Sequence, residues 1–184
     1  MAFRQLMLAA AATALVGLAA CSNETADKTG SPAAQEASGD NTISDGFGDA
    51  TTFQKAVKST GLDGTLAGPG PYTVLIPTNA AFDKLPAGAL DTLMKDDARQ
   101  ELTGVLTYHI LPGTILAEDI GKAIDAGKGK TNLPTMGGGT ITATRDGDAV
   151  VLEDGAGTKA RLVGTDEKRS NGVIHRLDAV LMPS

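Results

Sequence analysis

From residue 50 onward, the apolar positions of this chain switch between a helical and a strand-like period. In ATTFQKAVKSTG, residues 50 to 61, Phe53, Ala56 and Val57 share one helical face, and Gly61 is placed to end the helix in a left-handed cap. PYTVLIPTNAAF has a different character. Tyr72 to Ile76 is an apolar, β-branched run stopped by Pro77, which predicts a strand. Thr78 and Asn79 then serve as turn and cap for a short helix starting at Ala80-Ala81-Phe82. LDTLMKDDARQELTGVLTYHI predicts two helical segments divided near Asp96, an N-cap candidate. In the second, Leu102, Val105, Leu106 and His109 stand at i, i+3, i+4 and i+7, which puts His109 on or just beyond the buried face. Pro112-Gly113 turns the chain.

A weaker helical stretch, AEDIGKAIDAG, precedes a region of strands and turns. Thr140 to Thr144 alternates cleanly, and Ala149–Leu152 and Ala160–Val163 follow as further strands. Asp146-Gly147 and Asp154-Gly155 mark the tight connections between them. The last apolar run, GVIHRLDAVLM, predicts a closing strand. Val173, His175, Leu177, Ala179 and Leu181 lie on one face and Arg176 and Asp178 on the other. The pattern as a whole is mixed α and β.

The front of the chain has no such pattern. Arg4 precedes an apolar, alanine-rich stretch from Leu6 to Ala20, too short to span a bilayer comfortably, and Leu18-Ala19-Ala20-Cys21 closes it. This resembles a bacterial lipobox, so residues 1–20 read as a lipoprotein signal and Cys21 as the lipidated N-terminus, membrane-anchored by its acyl chains. Ser22, not aspartate, follows the cysteine, which in two-membrane bacteria implies an outer-membrane address. Residues 21–45 are rich in Ser, Thr, Ala, Gly and acids and form an expected tether, long enough to hold the head about 25–30 Å from the membrane. Residues 46–184 are then the folded head.

The formal net charge is −6, and loss of Arg4 with the leader makes the chain more acidic still. With no basic cluster, nucleic acid is excluded as a partner. Cys21 is the one cysteine, so an exported head must be held by its core rather than by a disulfide. That core must be aliphatic, because there is no tryptophan and only 3% of residues are aromatic.

The two histidines are the natural candidates for chemistry, and neither assembles any. His175 and Asp178 point to opposite faces of a strand, and Ser170 completes only a nominal trio without a G-x-S-x-G turn. Two histidines this far apart, with no HExxH and no clustered carboxylates, do not make a metal site. Gly129-Lys130-Thr131 mimics the end of a phosphate loop, but Ile124 stands where its first glycine belongs. Gly137-Gly138-Gly139 is a loop before a strand. The acidic pairs Asp96-Asp97, Glu118-Asp119 and Asp166-Glu167 read as solvated caps and loops. The expectation is a protein with no catalytic residues, no metal and no cofactor.

Three segments together resemble the fasciclin-domain family: PYTVLIPTNAAFDKLP, its first signature; TYHILPG, its Tyr-His motif; and SNGVIHRLDAVLMP, its second signature. They occur in the family's order and cover the head from about Gly46 to Pro183. The resemblance implies an α+β fold, a β-wedge of two sheets with helices packed around one side, in a non-catalytic adhesion or surface-interaction module. Tyr108 and His109 match the pair associated in animal members with cell adhesion, and are the candidate adhesion motif. Thr78, Asn79, Phe82, Asn171, His175 and Asp178 match positions that fix the fold. Arg176 stands where an aliphatic residue is more usual, which implies a polar or ion-paired sheet face. The implied partner is a protein or glycan surface. A periplasmic structural or stress-linked envelope protein, and a small-ligand carrier with an aliphatic pocket, remain alternatives.

Overall fold

Which sheet face each strand residue occupies decides this architecture, and the computed structural model shows it for residues 41–183. The leader, Cys21 and the tether up to residue 40 lie outside the described residues. Seven strands run in the order β2-β1-β7-β6-β5-β4-β3: β1 Tyr72–Pro77, β2 Ile110–Pro112, β3 Lys130–Pro134, β4 Thr140–Asp146, β5 Ala149–Glu153, β6 Lys159–Arg169 and β7 Gly172–Leu177. Strand β1 pairs parallel with β7, Leu75 opposite His175, and antiparallel with β2, Val74 opposite Ile110. Strand β6 is shared. It pairs with β7 on both sides of a register shift between Val163 and Glu167, Leu162 opposite Leu177 and Lys168 opposite Val173, and its first part also pairs with β5, Arg161 opposite Val151. A bulge bends a strand, and this one folds the sheet into a wedge of two leaves. The outer edges come together where Met136 N–H donates to Ile110 O at 2.8 Å, so the wedge approaches a barrel.

Alternation then sends side chains to two cores. Val74, Ile76 and Ile174 face the helices and pack with Phe47, Phe53, Val57 and Leu66. Leu75 and Leu177 face into the wedge, among Leu111, Ile120, Ile141, Leu152 and Leu181. Each such side chain contributes about 1.5–3 kcal/mol by leaving water. The helices are α1 Thr51–Thr60, α2 Leu62–Ala67, α3 Asn79–Phe82, α4 Ala89–Leu93, α5 Arg99–Tyr108 and α6 Ala117–Ala126. Helix α1 buries Phe53, Ala56 and Val57 and ends at Gly61 with φ 78°, the left-handed cap its sequence predicts.

Several boundaries differ from expectation. The folded unit starts before Gly46: Ile43, in a short 3₁₀ turn, is fully buried in the helix-side core. One apolar residue in a polar segment carries no periodicity to announce it. Asp96 caps nothing with its side chain; a 3₁₀ turn, Asp96–Ala98, leads into α5. Lys130-Thr131 opens a strand, β3, and β6 runs on to Arg169 instead of ending at Val163. The closing strand ends at Leu177, so Asp178 to Pro183 form a tail, and Asp178 shares no strand face with Arg176.

Candidate functional site

The Tyr108–His109 corner is interior. Tyr108 is 3% exposed and His109 is 1% exposed. Helix α5 ends here because the chain must leave it to become β2, and its two last side chains diverge. Tyr108 enters the wedge and donates its hydroxyl to Thr140 O at 2.9 Å; burial pushes its phenol pKa up. His109 enters the helix-side core, edge-on to Phe53 with ring centroids 6.4 Å apart. Its Nδ1 lies 2.8 Å from Val105 O, and Leu181 N–H donates to its Nε2 at 3.2 Å. A carbonyl at one nitrogen and an N–H at the other fix the neutral Nδ1–H tautomer. Burial pushes its pKa down to about 4, against the Val105 carbonyl and the Asp154 carboxylate, both of which favour the proton. The candidate adhesion pair, Tyr108 and His109, thus places both side chains in the interior, where they tie α5 to the strands and to the C-terminal segment.

The second histidine is bonded differently. His175, 2% exposed, has Nε2 2.7 Å from Ile115 O and Nδ1 3.2 Å from Asp166 Oδ1. The other oxygen of Asp166 accepts the N–H of Ala117, the first residue of α6, at 3.0 Å. A His–Asp pair therefore exists, but with Asp166 rather than Asp178, and the ring's far nitrogen is spent on a main-chain carbonyl. Ser170 lies at the β6–β7 turn, where its N–H donates to Asn41 O. Both ring nitrogens of His175 face acceptors inside the fold, Ile115 O and Asp166 Oδ1.

The remaining signature residues are tertiary fasteners. Thr78 Oγ1 caps α3 by accepting Ala81 N–H at 3.3 Å. Asn79 caps a different helix: it accepts Thr52 N–H at the start of α1 and donates to Asp49 O at 2.7 Å. Phe82 packs half-buried beside Ala81 and Val180. Asn171 is buried and joins three segments, accepting Ile43 N–H at 2.8 Å and donating to Leu66 O and Gly68 O at 2.7 and 2.8 Å. Asp178 accepts Arg161 N–H at 2.7 Å, extending the β6–β7 link past the strand.

The polar sheet face expected from Arg176 is present. Its guanidinium donates to Glu167 at 2.7 Å and to the carbonyls of Phe47 and Gly46 at 2.9 and 3.0 Å. Arg169 donates to the same Glu167 at 2.9 Å and to Asn41 Oδ1 at 3.0 Å. Glu167 is held below the usual carboxylate range, chiefly by Arg176, with Arg169 adding to it and partial burial opposing. Asp166 and Glu167 are thus corrected from solvated acids to paired, half-buried ones. Sequence reasoning also missed Asp154. It is 6% exposed, and takes the N–H groups of Ala156 and Thr158 with one oxygen and that of Met182 with the other. Asp-Gly signals a turn, but nothing local signals a bond to a segment 28 residues on.

The apolar space beneath the helices, lined by Phe53, Phe82, Leu85, Val105, His109 and Val180, holds about 10 Å³, room for at most a single water. Among the described residues, no group of three or more His, Cys, Asp or Glu is placed to hold a metal ion. No helix among them is long and apolar enough to cross a membrane.

Comparison with known proteins identifies the architecture. The Fasciclin domain family matches residues 48–183, and the chain belongs to that family. Protein sll1483 of Synechocystis is 34% identical over 134 residues, 72% of this chain and 67% of that protein. The transforming growth factor-beta-induced protein ig-h3 of Sus scrofa is 36% identical over 132 residues, which are 72% of this chain but only 17% of the pig protein. Among solved structures, a FAS1 domain pair from the insect cell adhesion molecule Fasciclin I superposes with a TM-score of 0.57 at 19% identity, over 73% of this chain and 45% of that one. At that identity the likeness shows the fold.

Proposed function

We propose that this protein is a non-catalytic interaction module of a bacterial envelope, anchored by lipid on Cys21 and gripping a protein or glycan partner. The family match across residues 48–183 carries this reading, together with the structural likeness to a domain pair from a cell adhesion molecule. The chemistry of the interior supports it. Both histidines, Asp154, Asp166 and Glu167 are committed to main-chain or ion-pair partners, so the groups that could carry catalysis are holding the fold. Partner contact then falls to the exposed surface, away from the Tyr108–His109 corner. Leu18-Ala19-Ala20-Cys21 supports the anchor, and Ser22 an outer-membrane destination.

Two measurements test this. Cells expressing the full chain should incorporate labelled palmitate into the protein, and Cys21→Ser should abolish it; an unacylated, wholly soluble mature protein sinks the anchor. The full chain is then screened against matrix proteins, glycans and peptidoglycan. Saturable capture by one class, kept by Tyr108→Phe, supports the module. Absence of capture from every class removes the adhesion reading.

A further inference from the structure

Beyond β7 the tail doubles back over the molecule, held at both ends. At its start, Asp178 N–H donates to Arg161 O at 3.2 Å, and Lys84 Nζ donates to Asp178 O at 2.7 Å. Near its end, two consecutive amides are taken by titratable side chains from separate parts of the fold. Leu181 N–H goes to His109 Nε2 at the end of α5, and Met182 N–H to Asp154 Oδ2 in the β5–β6 turn. Between these points Val180 packs with Ala81 and Val105, and Leu181 is fully buried with Leu75, Tyr108 and Leu111.

We propose that residues 179–183 form an acid-released latch: on acidification the tail lifts from the apolar ground beneath it while the wedge stays folded. The chemistry lies in the polarity of the bonds. Nδ1 of His109 already carries a proton toward Val105 O, so an added proton must go to Nε2. That turns the acceptor for Leu181 N–H into a donor facing a donor. Helices α3 and α4 bring the apolar Phe82, Leu90 and Leu93 to the space that His109 lines. Helix α1 offers Phe53, α5 the Val105 carbonyl, β1 the Leu75 N–H to the His109 carbonyl, and the tail Leu181 N–H. Tyr108 turns its hydroxyl away to Thr140. The charged group acting on the ring is Asp154, whose carboxylate favours its protonation. The depressed ring pKa is consistent with this, since ring and tail give way together or not at all. Lifting the tail removes Val180 from the apolar space that it lines with Phe82, Leu85 and Val105.

Amide hydrogen exchange on the full chain, corrected for the intrinsic pH dependence, tests the latch. A released imidazole regains its ordinary pKa, so opening should become about a hundredfold more favourable between pH 7 and pH 4. Protection of Leu181 and Met182 should fall accordingly. Leu75 N–H, bonded to His109 O, and Thr78 N–H, bonded to Leu177 O, should keep theirs. Equal loss at all four amides would mean global unfolding and overturn the latch; so would undiminished protection of Leu181 and Met182 at pH 4. In His109→Gln the side-chain amide can donate to Val105 O and accept from Leu181 N–H without titrating. Leu181 should then stay protected in acid, and loss as in the unmodified chain contradicts the mechanism. If that variant does not fold, the four-amide comparison in the unmodified chain decides alone.

Discussion

The two histidine corners carry the same residue type in similar apolar surroundings, yet they are bonded in opposite senses. His109 lies between a carbonyl and an N–H, an arrangement that only the neutral ring satisfies. His175 lies between a carbonyl and a carboxylate, two acceptors. A ring with one proton satisfies one of those acceptors, and a ring with two satisfies both. The first corner fastens the tail to a helix end. The second fastens the β6 bulge and the start of α6 to β7. Burial alone does not tell a histidine's role; the polarity of its partners does. In neither corner is a ring nitrogen left to meet a substrate or a partner protein.

The contrast can be broken most severely by removing the first ring. His109→Ala leaves a cavity beside Phe53 and strands Val105 O and Leu181 N–H, so urea denaturation should show a loss of about 4 kcal/mol. A loss below about 1 kcal/mol would mean that the ring is not a clamp. Acid acts on the same corner without mutation. Because the folded pKa of His109, about 4, lies below the unfolded value of 6.5, its contribution is complete above pH 6.5 and is lost as pH falls toward 4. That loss should be about 3 kcal/mol by chemical denaturation across the window, and His109→Gln should flatten it. At the second corner, Asp166→Ala deprives His175 and Ala117 N–H of their acceptor, and about 2 kcal/mol should go. Tyr108→Phe, which removes only the hydroxyl bonded to Thr140 O, should cost about 1 kcal/mol and leave partner capture unchanged.

Much of this arrangement was legible in the residues. Strand β1 follows from an unbroken apolar run that is buried on both faces, and the helical face of α1 and the face of β7 that carries His175 follow from periodicity. So does the placement of His109 one turn beyond Val105 and Leu106 on α5. What escaped was nonlocal. Ile43 is a lone apolar residue whose anchor, Asn171, lies 128 positions away. Strand β3 has one buried apolar side chain, Leu133, and is held mainly by its ladder to β4. Asp154, Asp166 and Glu167 look like ordinary surface acids until the wedge closes and brings Met182, His175 and Arg176 to them. Local pattern reports which face is buried. It does not report which polar groups meet across the fold.

The Tyr-His pair is an interior clamp, and the ring of His109 reports on it directly. Nitrogen NMR of the folded full chain, titrated from pH 7.5 downward, reads both tautomer and midpoint. The expected result is the Nδ1–H tautomer at neutral pH and protonation at about pH 4. A mixed tautomer that titrates near 6.5, as a hydrated imidazole does, would place the ring in water. It would return Tyr108 and His109 to the surface as a recognition motif.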